Sequence, residues 1–262
     1  ATLSLNDGAQ LGTFVREAFS NLAAGEGQAG NVNVNVTGAV TIAGVKDGFR
    51  SGIFSYLGSG AIGKGGNINV TSGSVSLTDG AKLLASTSGQ GDAGSILVQA
   101  KDSVSAAGRS LIFSNVEYGG VGKGGNVNIN AATLSLFDGA QLSTSVREAS
   151  SNQPAGEGQA GNVNVNVTGA VTIAGVNNAP SGIFSYLGSG AIGKGGNINV
   201  TSGSVSLTDG AQILASTSGQ GDAGSVFVQA KDSVSSAGNS YIFSNVENGG
   251  VGKGGDVNIN AA

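Results

Sequence analysis

Apolar and polar residues alternate in short stretches along this chain. The clearest stretch, Gly-Asn-Val-Asn-Val-Asn-Val, occupies residues 30–36 and returns at 161–167. A two-residue period is typical of a β-strand, because successive side chains point to opposite faces of a sheet. Shorter variants follow glycine-rich stretches at 67–70, 95–98 and 126–130. The pattern predicts an all-β chain whose strands each have one apolar face.

The predicted strands belong to a long repeat. Residues 1–131 return almost unchanged as residues 132–262, and each unit divides into four sub-repeats of roughly 29 to 36 residues. Each sub-repeat contains an alternating strand, an Asp-Gly or Gly turn, a second strand, a glycine-rich loop and the Asn/Val strand. The eight sub-repeats are 1–36, 37–71, 72–100, 101–131, 132–167, 168–201, 202–230 and 231–262.

Three short strands in each sub-repeat predict a parallel β-helix, a solenoid of about eight coils that continues through both units as one domain. One coil cannot bury its apolar side chains alone, so stacked coils should bury them in ladders that run along the axis. At about 4.8 Å per coil, eight coils would form a rod of roughly 38 Å. The predicted inward ladders are Val32-Ile68-Ile96-Val127-Val163-Ile198-Val226-Val257, and Leu3-Val40-Val75-Val104 with its second-unit counterparts.

The composition excludes several classes of protein. Of 262 residues, 48 are glycine and only 2 are proline, and glycine does not occupy every third position, which excludes collagen. Without Cys or His, the chain lacks disulfides, thiolate chemistry and the commonest neutral-pH acid–base group. A net charge of −4 does not favour nucleic acid, and no apolar run approaches the roughly 18–20 residues of a membrane span. Because residue 1 falls inside a repeat, we expect a fragment or a processed chain.

Polar and charged positions also recur from one sub-repeat to the next. We expect Asn33, Asn69 and Asn128 to stack with their equivalents and to exchange amide hydrogen bonds along the axis. The glycine-rich loops carry charges of alternating sign, which predicts an electrostatic ladder that favours correct stacking, although one exposed pair contributes only about 0–1 kcal/mol. The ladder residues are Glu26, Lys64, Asp92, Lys123, Glu157, Lys194, Asp222 and Lys253.

One segment, residues 14–22, breaks the repeat. Its apolar residues Phe14, Phe19 and Leu22 become polar in the second unit, where a core position would not tolerate the exchange. We therefore expect a loop with some helical character outside the rod, which is either a variable surface loop or a lateral contact through these three residues. The second-unit residues at these positions are Ser145, Ser150 and Gln153.

Several motifs resemble binding sites. Gly-x-Gly-x-x-Gly at 25–30, with its three other copies, and the near phosphate loops at 58–65 and 188–195 lead into strands rather than helices. These glycine motifs are therefore better explained as turns of the repeat than as phosphate-binding loops. Asp92 and Asp222 sit in turns like those of calcium-binding repeats, but lysine replaces them in alternate sub-repeats, which disfavours calcium.

The sequence also gives no indication of a carboxylate pair that could hydrolyse a glycosidic bond. Three of the four candidate acids lie in Asp-Gly turns, where the carboxylate caps its own backbone, and nearly every acid is duplicated about 130 residues later. We therefore expect no catalytic, cofactor-binding or metal-binding residue, no cofactor and no enzyme activity. The four acids are Asp7, Asp79, Asp102 and Asp138.

Residues 74–104 carry a family likeness. The stretch SVSLTDGAKLLASTSGQGDAGSILVQAKDSV, with its copy from Ser204, resembles the repeats of large filamentous-haemagglutinin-type exoproteins, and in particular two-partner-secreted cyanobacterial surface proteins. This resemblance implies a right-handed β-helix, export by two-partner secretion, an extracellular or cell-surface location, and a role in adhesion, surface layers or fibres.

These observations predict a structural segment of an extracellular fibre or surface layer. The expected partner is the protein itself, through end-to-end continuation or lateral association, with extracellular or cell-surface polysaccharide as a further candidate. Two alternatives remain open. One is an adhesin that binds glycans or cell surfaces through its polar flank or the 14–22 loop. The other is a polysaccharide-active β-helix enzyme, against which the lack of a unique acidic cluster argues.

Overall fold

A computed structural model describes residues 1–176 and 179–261, and it confirms the all-β prediction. These residues form twenty-seven β-strands and no α-helix. The strands of the first unit are β1 (Leu3–Asn6), β2 (Gln10–Val15), β3 (Glu26–Gln28), β4 (Val32–Asn35), β5 (Ala39–Ala43), β6 (Val45–Lys46), β7 (Phe49–Arg50), β8 (Gly52–Leu57), β9 (Ile62–Lys64), β10 (Ile68–Thr78), β11 (Lys82–Thr87), β12 (Ile96–Ala106), β13 (Leu111–Val116), β14 (Val121–Lys123) and β15 (Val127–Ala131). Those of the second unit are β16 (Thr133–Phe137), β17 (Gln141–Val146), β18 (Glu157–Gln159), β19 (Val163–Val167), β20 (Ala170–Ala174), β21 (Gly182–Leu187), β22 (Ile192–Lys194), β23 (Ile198–Thr208), β24 (Gln212–Thr217), β25 (Val226–Ser236), β26 (Tyr241–Val246) and β27 (Val257–Ala261).

Two large sheets contain most of these strands, and each strand pairs in parallel with strands of neighbouring sub-repeats. The eight-stranded sheet has the order β2-β8-β11-β13-β17-β21-β24-β26, which is also the order along the chain. A twelve-stranded sheet holds the Asn/Val strands and the first strands of the sub-repeats. Between β1 and β2 the chain turns at Asp7 and Gly8, whose φ angles of 52° and 82° lie in the left-handed region that Asp and Gly tolerate.

The register of the twelve-stranded sheet confirms both predicted ladders. Every adjacent pair from Val32 to Val257 lies in direct register. The same holds from Leu3 through Val104 and on to Val234. The first ladder is buried from Val32 to Val226, whereas Val257 is 41% exposed. Alternation along the strand therefore identified the inward face correctly.

Two predictions about the strands were wrong. Four strands, β10, β12, β23 and β25, run through the predicted sub-repeat boundaries as single strands of eleven residues. The glycine-rich loops of five sub-repeats also form a further strand, so three strands are too few for those five, whereas 72–100, 202–230 and 231–262 have three as predicted. The additional strands are β3, β9, β14, β18 and β22. These segments pair through backbone groups, and their side chains carry no pattern from which the pairing could be predicted.

The long strands also close a ring of parallel pairings. β12 pairs with β15 through its first half and with β16 through its second half. β23 pairs in the same way with β19 and β20, so that six strands form a closed circuit. The pairing of β23 with β25 shifts register between Ser202 and Ser204, which marks an irregularity between the two halves of the strand.

A single apolar cluster fills the interior and includes buried residues from Val32 to Val228, hence from both units. Its members are Val, Ile, Leu and Ala, as the ladders require. Two smaller clusters lie beside it, one around Leu57 and one around Leu187, at equivalent places in the two units. Burial of this cluster supplies the main favourable contribution to folding.

The 14–22 segment differs from its prediction. Phe14 lies in β2, in register with Tyr56, and the two ring centroids are 4.6 Å apart. Phe19 and Leu22 pair across a short antiparallel bridge and are 77% and 71% exposed. The helical character was therefore wrong, since the segment continues a strand and then turns back on itself.

Candidate functional site

Two columns of glycine run along the chain where the glycine-rich loops stack. The first column is Gly27, Gly63, Gly91, Gly122, Gly158, Gly193, Gly221 and Gly252, all with φ between 141° and 157°. The second is Gly30, Gly66, Gly94, Gly125, Gly161, Gly196, Gly224 and Gly255. Except at Gly27 and Gly30, which begin the columns, a Cβ would overlap the carbonyl oxygen of the preceding member. This close approach of backbones accounts for the Gly-x-Gly-x-x-Gly stretches without a phosphate.

The residue after each second-column glycine forms a further column, which sequence reasoning missed. In every member but the last, the side-chain oxygen accepts a hydrogen bond of 2.8–3.0 Å from the backbone N–H of the next member. This acceptor column is Asn31, Asn67, Ser95, Asn126, Asn162, Asn197, Ser225 and Asp256. The recurrence of a short polar residue directly after glycine was the available signal, because such side chains satisfy backbone N–H groups.

The predicted asparagine stacking occurs in the row that contains Asn33, Asn69 and Asn128, wherever two asparagines of that row are in register. Asn69 Nδ2 donates to Asn33 Oδ1 at 2.8 Å. Asn128 Oδ1 accepts from Asn164 Nδ2 at the same distance, and Asn164 Oδ1 accepts from Asn199. Apolar residues interrupt this row at two places. Leu97 follows Asn69, and Phe227 follows Asn199.

The eight charged ladder residues do not form one row. Gly27 pairs with Gly63, so Glu26 lies beside Ile62 and Lys64 beside Gln28. In the same way Glu157 lies between Val121 and Ile192, while Lys123, Gln159 and Lys194 share the neighbouring row. The prediction was therefore wrong for Glu26 and Glu157, which lie two positions away from the predicted row. The other six residues do share one row, as Lys64, Asp92 and Lys123 in the first unit and as Lys194, Asp222 and Lys253 in the second.

No ion pair links the ladder residues within the described part of the chain, where the two salt bridges both involve Arg147. Two of the acids act locally instead. The Asp92 carboxylate accepts from the Lys123 backbone N–H at 2.9 Å, and Asp222 accepts from Lys253 in the same way. An electrostatic contribution to register would have to act over longer distances, and it stays a prediction.

Buried hydroxyls on the eight-stranded sheet hold the second glycine column in place. Ser114 Oγ donates to the Gly94 carbonyl and accepts from the Gly125 N–H, both at 2.8 Å. Thr144 donates to the Gly161 carbonyl at 2.6 Å. Since buried polar groups need partners, a serine within the apolar Ile-Phe-Ser strand was the signal for this role. Equivalent bonds are made by Ser55, Ser185 and Ser244.

A groove of about 200 Å³ lies on the eight-stranded sheet where the two units meet, and its side chains stand apart from the ladders. Arg147 is its centre. The guanidinium donates to the hydroxyls of Tyr118, at 2.9 Å, and Tyr186, and it pairs with Glu148 at 3.2 Å and Glu117 at 3.9 Å. The charged, polar and aromatic lining includes Lys82, Phe113, Asn115, Glu117, Gln141, Ser143, Arg147 and Tyr186.

Burial changes the acid–base properties of the groove. It raises the pKa of Glu117, and the hydrogen bond from Asn115 and the nearby Arg147 charge oppose this shift only in part. It also lowers the pKa of Lys82, whose Nζ lies 5.4 Å from the Phe113 ring centroid. Burial raises the pKa of Tyr186 as well. The groove therefore offers a half-buried cation, a protonatable acid and phenol hydroxyls to a polar ligand.

Sequence reasoning missed this groove because the two residues of its charge pair each looked like one member of a duplicate. Glu117 has a copy at Glu247, and Arg147 has a copy at Arg16. The groove, however, takes Glu117 from the end of one unit and Arg147 from the start of the next, and this combination occurs once in the described chain. The signal was their separation of one sub-repeat, which places them on neighbouring strands.

Comparison with known proteins adds no assignment to this geometry. No family model, no curated protein and no solved structure matches the chain. Within residues 1–176 and 179–261, no group of three or more His, Cys, Asp or Glu is placed to hold a metal ion. No helix long and apolar enough to cross a bilayer occurs in the same residues.

The raised pKa of Glu117 predicts a pH-dependent stability. Folding takes up protons between the unfolded pKa, about 4.3, and the raised folded pKa, so stability falls as pH rises through that window. Glu117→Gln removes this effect and keeps an acceptor for Asn115. We expect the free energy of unfolding of the variant, minus that of the wild type, to increase from pH 4 to pH 7 in urea titrations. Glu247→Gln, at the equivalent exposed position, controls for loss of a charge, and parallel pH profiles for wild type and Glu117→Gln would contradict the prediction.

Proposed function

We propose that this chain is a rigid structural segment, a right-handed parallel β-helix of eight coils that extends an extracellular fibre or surface layer. The observation that carries the proposal is the unbroken register from Val32 to Val257, in which every strand pairs with the strand one sub-repeat away. Such a chain holds its length through backbone pairing repeated at each step.

Two features support a helical path, and a general rule supports its hand. The eight-stranded sheet follows chain order without a crossover between distant strands. The six-strand circuit arises because β12 and β23 each pass from one set of partners to another, as a strand does when it turns a corner between two faces of a coil. Connections between parallel strands of one sheet are right-handed in about 98% of cases, which favours that hand.

The columns along the axis suit a scaffold better than a catalyst. Glycine backbones in close approach, buried hydroxyls and the acceptor column all join consecutive sub-repeats, so each step is locked in several places. The resemblance of residues 74–104 to filamentous-haemagglutinin-type repeats supports the extracellular location and the partnership of the protein with itself.

Tandem chains test the scaffold directly. We expect chains with one, two and three copies of residues 1–262 to gain about 38 Å in maximum dimension per added copy in small-angle X-ray scattering, at about 4.8 Å per coil. A compact arrangement would instead grow roughly with the cube root of chain length. Growth of that second kind would overturn the proposal.

A second candidate function is favoured by the groove at the unit boundary. Lys82 is half-buried with no carboxylate within 4 Å in the described residues, and the buried Asn115 Oδ1 has no hydrogen-bond partner. A carboxylated sugar would supply a counter-ion to the first and a hydroxyl to the second. This would make the chain an adhesin for acidic polysaccharide, at a place other than the polar flank or the 14–22 loop.

The second unit suggests a matched variant that tests the adhesin function, Lys82→Gln, because Gln212 occupies the position of Lys82 there. We expect wild type to be retained on immobilised polygalacturonate and Lys82→Gln to lose retention. Lys46→Gln, which changes an exposed hairpin lysine, should leave retention unchanged. Equal retention of all three proteins would reject this function.

A further inference from the structure

The boundary between the two units contains a specific set of contacts. There the fourth sub-repeat, 101–131, meets the fifth, 132–167. On the outer face Arg147 reaches back to Glu117, and the Arg147 backbone N–H donates to the Val116 carbonyl at 2.9 Å. In the twelve-stranded sheet the Asn162 N–H donates to the Asn126 side chain at 2.8 Å. A salt bridge, parallel strands and the acceptor column thus define this boundary together.

Both halves of this contact set recur on the two terminal sub-repeats. The eighth sub-repeat, 231–262, carries Glu247 at the position of Glu117 and Asp256 at the position of Asn126. The first sub-repeat, 1–36, carries Arg16 in place of Arg147 and Asn31 in place of Asn162. The Asp256 backbone N–H donates to Ser225 Oγ at 3.0 Å, so Asp256 is the last member of the column, and its carboxylate would accept an N–H from a following copy at least as well as an amide does.

The apolar residues that meet at the internal boundary also have equivalents on the two terminal sub-repeats. Val257 and Ile259 are 41% and 45% exposed on the eighth sub-repeat, whereas their counterparts Val127 and Ile129 are fully buried under the fifth. The residues that cover Val127 and Ile129 are Val163 and Val165, and the first sub-repeat has Val32 and Val34 at those positions.

We propose that the eighth sub-repeat of one copy receives the first sub-repeat of a second copy, head to tail, in the geometry of the internal boundary. The inference rests on the proposed scaffold function. In a chain that continues, the same contacts would join successive units. Opposite charges favour this orientation, because it sets Glu247 against Arg16.

Three differences distinguish the new contact from the internal one. Asn248 replaces Tyr118, so the arginine would exchange a phenol partner for an amide. Phe14 replaces Ser145, and its ring packs on Tyr56 within its own copy. Asp256 replaces Asn126 and adds a negative charge. Because the contact is heterologous and does not close on itself, association should be open-ended.

Sedimentation velocity over a range of concentrations tests the proposal. We expect a series of oligomers whose mean mass rises with concentration. Arg16→Glu and Glu247→Arg should each weaken association by about tenfold or more, because each places like charges in contact. The double variant should recover most of the affinity, since the swapped charges again face each other. Lys46→Glu, in the exposed hairpin formed by β6 and β7, controls for the change in net charge.

The possible results distinguish a failure of the head-to-tail stacking from a failure of the scaffold function. A protein that stays monomeric at every concentration while its tandem chains still lengthen linearly would overturn the stacking and leave the scaffold in place. A dimer that does not grow further would overturn the head-to-tail orientation. Failure of the double variant to recover affinity, with native circular dichroism, would overturn the Glu247–Arg16 contact.

Discussion

Gly161→Ala should lower the free energy of unfolding by about 3 kcal/mol or more. The new Cβ would overlap the carbonyl oxygen of Gly125, and the Asn126 backbone nitrogen would lie only 3.0 Å away. Both obstacles are backbone atoms held by pairing on either side, so the sub-repeats must separate to make room. Urea or thermal unfolding monitored by circular dichroism measures the loss.

Gly30→Ala is the matched control, because Gly30 begins the same column. Its Cβ would meet only a Thr13 methyl group, at an ordinary 3.6 Å. We expect a change within about 0.5 kcal/mol at this site. Similar losses at Gly30 and Gly161 would mean that backbone flexibility, rather than the approach of neighbouring sub-repeats, requires glycine in this column.

Ile129→Ala should cost about 2–5 kcal/mol, because the side chain is fully buried between Val98 and Val165 and its removal leaves a cavity. Ile259 occupies the same position in the second unit, but it is 45% exposed and pairs only with Val228. We expect Ile259→Ala to cost less than half as much in dilute protein, where copies do not associate. The comparison uses the same substitution at equivalent positions, and equal losses would contradict the inward ladders.

Alternation along the strands was sufficient to predict the inward ladders, since a one-residue error would turn every valine from Val32 onward to the wrong face. It could not locate the pairing of the glycine-rich loops. There the register depends on which glycine pairs with which, and the choice of Gly25 instead of Gly27 as the partner of Gly63 moved Glu26 by two positions. Two features distinguish the alignments: the positive φ of Gly27 and Gly63, and the three-residue separation of each from the next glycine of the second column.

The groove was hidden for a different physical reason. Repeat analysis compares residues 130 positions apart, such as Glu117 with Glu247, whereas contacts in this fold join residues about one sub-repeat apart. Arg147 and Glu117 are neighbours in space although they belong to different units. Phe14 was placed in a loop because its counterpart is Ser145, but both residues lie within strands, in register with Tyr56 and Tyr186 respectively.

The acceptor column has a consequence for how the polypeptide acquires its structure. The bonds of this column join residues 28 to 36 positions apart, so each of them links only adjacent sub-repeats. A growing or threading polypeptide can therefore fold progressively from its leading end, as soon as each next thirty or so residues emerge. Nothing at the trailing end is needed to complete what has already formed, so the order of emergence becomes the order of assembly.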